Sequence, residues 1–155
     1  MIPLPLDGGC QCGALRYRVT AAPLMVYNCH CTNCQRIGGG AFSTPAAILE
    51  SSLTFIQGEP RSVEWTSDSG TRRIGWFCGE CGARIAHGQV PSNGIASLRT
   101  GTLDDRSWVT PVADTWTRSA QPWVVIPADR LAFERQPGDY APLVTAFRNL
   151  GLFAS

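Results

Sequence analysis

Seven cysteines carry the chemistry of this sequence, in three clusters: Cys10-Gln11-Cys12, Cys29-His30-Cys31-Thr32-Asn33-Cys34 and Cys78-Gly79-Glu80-Cys81. An odd number of closely set thiols, with no secretory leader, does not read as a disulfide framework; it reads as a set of metal ligands. Cys78 and Cys81, followed by Gly82, have the form of a zinc knuckle, in which a tight turn converges two sulfurs on one ion. A structural zinc takes four ligands, and the glycine-flanked pair Cys10 and Cys12 completes the set. Such a site adds directly to folding free energy, because the unfolded chain has no preformed site.

Cys29, Cys31 and Cys34 remain. Cys29 and Cys31 share a face at a strand end, and the following turn can return Cys34 to it. Three protein ligands with an open fourth position are the arrangement of a catalytic zinc. Two other readings compete: His30 closing a second structural site, and a reversible thiol redox group. His30 lies between two ligands, so in a strand it points away from their metal and reads as a core or surface histidine. His87, in Ile85-Ala86-His87-Gly88, reads as structural. The expectation is two zinc ions per chain.

The elements that must place these cysteines are mainly β. Ala14 to Thr20 alternates apolar and polar residues, the period of a half-buried strand. Further strands are expected at Leu24–Asn28, Phe42–Leu49, Leu53–Ile56, Ser62–Trp65, Arg73–Phe77, Ile95–Arg99, Trp123–Ile126 and Leu131–Arg135. Thr32 to Ile37 suits one helical turn capped by Thr32, and Pro142 to Leu150 a short amphipathic C-terminal helix. The chain has 155 residues, 44% hydrophobic and 16% charged, with 16 glycines and 11 prolines, which fits one loop-rich β domain. A net charge of +1 makes no electrostatic case for nucleic acid or an anionic membrane. No apolar run spans a bilayer, and Met1 to Asp7 lacks the basic start and apolar stretch of a signal peptide, so the cytoplasm is the expected compartment.

These residues together resemble the glutathione-dependent formaldehyde-activating enzyme family, whose domain is also of the centromere protein V type. The likeness lies in Gly8-x-Cys10-x-Cys12-Gly13, the Arg16-Tyr17 strand, Cys29-His30-Cys31-x-x-Cys34 and Phe77-Cys78-x-x-Cys81-Gly82. It continues through Gly101-Thr102-Leu103-Asp104-Asp105, Trp116-Thr117-Arg118-Ser119 and Pro122-Trp123. Residues 1–137 would form the zinc-binding domain and 138–155 a tail with a short helix. The resemblance implies a β-tent, a complex of stacked antiparallel sheets. It also implies a structural zinc on Cys10, Cys12, Cys78 and Cys81, and a catalytic zinc on Cys29, Cys31 and Cys34. The chain departs from the family at Gln35, where members usually carry arginine, and at Asp114-Thr115, where many carry His-Ile.

The reaction that the resemblance implies is addition of glutathione to formaldehyde, within the carbon–sulfur lyases. A zinc ion with three thiolates is a weak Lewis acid and suits a fourth sulfur better than strong ionisation of water. The expected chemistry is a substrate thiol made nucleophilic toward a small aldehyde, with carbon–sulfur cleavage as the reverse. Arg36 is the nearest cation in sequence for an anionic thiol. Asp104, Asp105 and Asp114 are either proton handlers or, more commonly for such residues, surface-loop carboxylates. The alternatives in other classes are a non-catalytic zinc module and a redox sensor.

Overall fold

The computed structural model describes residues 1–154. Twelve strands and two helices follow in chain order: β1 (Leu6–Gly9), β2 (Arg16–Val19), β3 (Met25–Val26), β4 (Asn28–Cys29), α1 (Thr32–Gly38), β5 (Pro45–Leu49), β6 (Leu53–Gln57), β7 (Arg61–Thr66), β8 (Arg72–Phe77), β9 (Arg84–Gln89), β10 (Ile95–Arg99), β11 (Ala113–Thr115), β12 (Leu131–Phe133) and α2 (Ala141–Arg148). They form three sheets, ordered β1-β2-β6, β3-β5-β10-β9-β8-β7 and β12-β11-β4. The first two are antiparallel throughout. The third is parallel, an addition to the all-antiparallel expectation.

The six-stranded sheet positions the chemistry. Val26, Ala46, Leu98 and Ala86 stand in register across β3, β5, β10 and β9, with Ile48 and Ala96 beside them, and all six are fully buried. They join Leu6, Tyr17 and Val19 of the first sheet in one hydrophobic cluster. The alternate residues form a second row, Met25, Ala47, Ser97, His87 and Gly75, on the opposite face. Its central members are small or polar, so this face stays concave instead of packing shut.

Two motif segments are explained by one contact. The Tyr17 hydroxyl lies 2.8 Å from Thr102 Oγ1. Gly8 is required beside it, because a Cβ there would lie 2.3 Å from the same hydroxyl. Arg16, the residue before Tyr17, pairs with Asp104, two residues after Thr102. Leu143 and Phe147 of α2 enter the hydrophobic cluster, and the rings of Trp108 and Phe153 meet in a T-shaped contact with centroids 5.2 Å apart. The Ile2 amide donates to the Leu152 carbonyl (2.7 Å), so both chain ends meet.

Several expected elements differ. Trp123 to Ile126 is not a strand: Trp123 is 71% and Val125 88% exposed, and the flanking Pro122 and Pro127 have no amide to offer a ladder. Leu24–Asn28 divides at Tyr27, because β3 pairs in the large sheet and β4 in the parallel one. Thr32 does not cap α1; the Cys31 side chain does, accepting from the Cys34 amide. Strands β1, β9 and β11 carry too little alternation of their own to be read from the sequence. Leu98→Ala, at a fully buried position, is expected to cost about 2–5 kcal/mol in chemical unfolding. Trp123→Ser is expected to stay within about 0.5 kcal/mol of wild type; a large loss there would place Trp123 in an unseen packing contact.

Candidate metal centre

Cys10 and Cys12 occupy the turn after β1, and Cys78 and Cys81 the turn between β8 and β9. The two turns are built alike. The amide of Cys10 bonds the Leu15 carbonyl (2.9 Å) and that of Cys78 the Ala83 carbonyl (3.0 Å). Gly13 and Gly82 supply left-handed φ values of 80° and 75° that bring each chain back. Their four sulfurs lie within 4.8 Å of one another. Cys10 to Cys12 is 3.5 Å and Cys12 to Cys78 is 3.8 Å. A tetrahedron of thiolates at zinc–sulfur bond length has edges of about 3.8 Å, so the group fits a zinc ion. Burial pushes the Cys10 thiol up, but the Leu15 amide (3.2 Å) and the neighbouring sulfurs outweigh it and hold the thiol at about 6.

Cys29, Cys31 and Cys34 form the second group, their sulfurs also within 4.8 Å of one another. Cys29 ends β4, bonded both ways to Ser43 (2.8 and 3.1 Å) and paired with Thr115. Cys31 and Cys34 come from the cap and first turn of α1. Contacts with Cys31 and Cys34, then burial, push the Cys29 thiol up. Contacts with Cys29 and Cys31, reinforced by the charge of Arg99, hold Cys34 well below the usual thiol range. The donor set suits a soft divalent ion such as zinc.

His30 takes no part in this group. It is fully buried, and its Nε2 lies 2.7 Å from Asp114 Oδ1, which also accepts from Asn28 Nδ2 (3.1 Å). Arg130 Nη1 donates to Asp114 Oδ2 (3.1 Å). Asp114 is therefore a buried anchor of β11, not a surface-loop carboxylate, and it holds the segment carrying Cys29 and Cys31. Gln35 serves the same end, with Nε2 donating to the carbonyls of His30 and Ser119, each at 2.8 Å. That is what stands where family members usually carry arginine. Asp104 is paired with Arg16, and Asp105 accepts from the Ser107 amide and hydroxyl (2.9 and 2.7 Å). Arg36 is exposed on α1.

The three-cysteine group opens into a cavity of about 570 Å³ lined by the concave face of the large sheet. Cys29, Cys31 and Cys34 line it; Arg36, Asp104, Asp105, Asp114 and His30 do not, nor do the four cysteines of the first group. Its cations are Arg73, Arg99 and, at the rim, Arg118 stacked 5.3 Å over the Trp116 ring. Trp116 itself takes a left-handed φ of 60°, a conformation costly for a side chain of that size. His87 lines the same wall. Sequence reasoning read His87 as structural and passed over Arg73 and Arg99; alternation along β10 puts Ser97 and Arg99 on one polar face, and that was the available signal for Arg99. Burial, then the charge of Arg99, lowers His87 to about 4. The ordinary value is about 6.5, so this contribution to stability is complete above about pH 6.5 and is lost as pH falls toward 4, where only the unfolded chain takes up the proton. In chemical unfolding at pH 7 and pH 5, His87→Gln is expected to lose less stability than wild type; an equal loss would mean that His87 titrates as if in water.

Comparison with known proteins agrees with this architecture. A crystal structure of a Rhodobacter sphaeroides protein superposes with a TM-score of 0.51 over 82% of this chain and 98% of its own, at 20% identity, which speaks for the fold alone. The family model described as glutathione-dependent formaldehyde-activating enzyme matches residues 5–119, a span that takes in both cysteine groups and the Thr102–Asp104 contacts. The chain belongs to the glutathione-dependent formaldehyde-activating enzyme family.

Proposed function

We propose that the protein is a zinc-dependent enzyme of the carbon–sulfur lyase type, working in the cytoplasm. It adds a thiol of the glutathione kind reversibly to a small aldehyde such as formaldehyde. Cys29, Cys31 and Cys34 hold the catalytic ion, and Cys10, Cys12, Cys78 and Cys81 a structural one. The observation that carries this reading is access. The three-cysteine group faces a cavity within the size range of ligand sites, and the four-cysteine group does not. The residue that would close the second site in a non-catalytic module, His30, is turned to Asp114 instead.

A zinc ion held by the three sulfurs supplies Lewis acidity and a fourth coordination position suited to a thiol. The chain supplies the rest. Arg73 and Arg118, both lining the cavity, take the carboxylates of an anionic thiol, with Arg36 as an outlying cation on α1. Burial keeps the phenols of Tyr27 and Tyr140 protonated, so these two residues offer O–H donors and no phenolate. Trp65 and Trp116 cover the sides. In the forward direction the sulfur bonds to the carbonyl carbon, the carbon–oxygen π pair moves to oxygen, and the proton lost by the thiol is balanced by one taken up there. Reversal cleaves the carbon–sulfur bond. Among the described residues, no helix is long and apolar enough to cross a membrane.

Elemental analysis tests the reading. Wild type is expected to hold two zinc ions per chain in the presence of glutathione, and Cys31→Ser one, with turnover of glutathione and formaldehyde lost by about 100-fold or more. One ion in wild type with and without glutathione, or unaltered turnover in Cys31→Ser, would sink it.

A further inference from the structure

Behind the three-cysteine group the large sheet buries positive charge with no carboxylate to match it. Arg99, at the end of β10, is only 9% exposed, and its Nη1 lies 3.9 Å from Cys34 Sγ. Its Nε and Nη2 are covered and make no hydrogen bond among the described residues. Arg84 stands on the same face, because the β8–β9 register shift pairs it with Phe77. Gly75 makes room for it: a Cβ at Gly75 would lie 2.3 Å from Arg84 Nη1. That Nη1 is also covered and unpaired, and the guanidinium lies 5.4 Å from the Trp65 ring centre. Burial, then the charge of Arg99, holds Arg84 below the ordinary arginine value, and Cys34 works the other way. The ion pairs of the described residues involve Arg16, Arg18, His30, Arg72 and Arg130, and neither of these two arginines.

A buried guanidinium with a half-buried one on the same face of the sheet calls for an anion to answer them. The acidic group that Arg99 meets is the cysteine trio, through Cys34. Three thiolates with a divalent ion leave one net negative charge, and a fourth thiolate makes two. We propose that Arg99, backed by Arg84, is the counter-charge that lets the three-cysteine group accept its substrate thiol in the ionised form. The inference rests on the thiol-binding reading above and assigns two residues to it. The thiol S–H bond breaks heterolytically, the proton leaves to water, and the electron pair stays on sulfur beside the buried charge. Arg99 and Arg84 are positioning residues here, distinct from Arg73 and Arg118, which take the carboxylates. Because Arg99 is buried, its effect is screened little by salt.

The test uses the cobalt(II)-substituted protein, whose sulfur-to-metal charge-transfer absorption grows when a further thiolate binds, titrated with glutathione across pH. Arg99→Gln is expected to weaken glutathione binding by about tenfold or more and to move its pH midpoint upward by about one unit. Arg84→Gln should act in the same direction by less, and Arg99→Lys should stay near wild type. The difference should persist in high salt. S-methylglutathione, which keeps the carboxylates but has no ionisable thiol, should bind Arg99→Gln and wild type alike. If Arg99→Gln cannot hold cobalt, the lysine variant and Arg84→Gln decide the matter by the same measurements. Wild-type affinity and midpoint in both glutamine variants, or an equal loss of S-methylglutathione binding in Arg99→Gln, would overturn the proposal. No spectral change with glutathione in wild type itself removes the thiol-binding reading, and this inference with it.

Discussion

Alternate residues of a strand point to opposite faces, and in the six-stranded sheet that constraint separates two chemistries. One face is dry and closes against the first sheet through Val26, Ala46, Ile48, Ala86, Ala96 and Leu98. The other carries Ala47, Ser97 and Gly75 at its centre, side chains too small to fill the space above them. The cavity follows from that row. A large residue at Ser97 or Ala47 would fill it, and a one-residue slip of β10 would exchange Arg99 for Leu98 beside Cys34. The hydrophobic core is therefore what holds the register of the functional face.

The two cysteine groups solve different problems with the same ligand. In the first, two similar turns, 66 residues apart between Cys12 and Cys78, present four sulfurs at tetrahedral spacing. A metal there ties β1 to the β8–β9 hairpin, and the binding energy becomes folding energy. The second group is local in sequence, with all three sulfurs on β4 and the start of α1. Its support is remote: Asp114 holds His30 and Asn28 from β11, and Gln35 gathers the carbonyls of His30 and Ser119. Buried and hydrogen-bonded side chains of this kind fix the orientation of ligands without touching the ion.

Charge is arranged on the same plan. Arg16, Arg18 and Arg72 are each matched to a carboxylate near the surface, where such pairs contribute little. The arginines of the cavity wall have no carboxylate partner among the described residues, so their charge is available to thiolates and to an anionic ligand. A net charge of +1 for the whole chain hides this, because it averages matched surface pairs with an unmatched interior.

Much of the metal chemistry was legible in the residues. Turns such as Cys10-x-Cys12-Gly13 and Cys78-x-x-Cys81-Gly82 are local devices whose spacing sets the approach of two sulfurs, so both cysteine groups, the family and the mainly β class could be read before any fold was known. Strands with clear alternation, such as Arg16–Val19 and Ile95–Arg99, were legible for the same reason. The wall of the cavity was not. Arg36 is two residues from Cys34 yet faces outward, whereas Arg99 is 65 residues away and meets its sulfur at 3.9 Å. Asp114 reads as a loop residue but is buried on a parallel strand that has no pattern of its own. Spacing along the chain determines what a turn can ligate. Which cations and carboxylates stand near that turn is decided only by strand register and sheet packing, since these bring distant residues to one face.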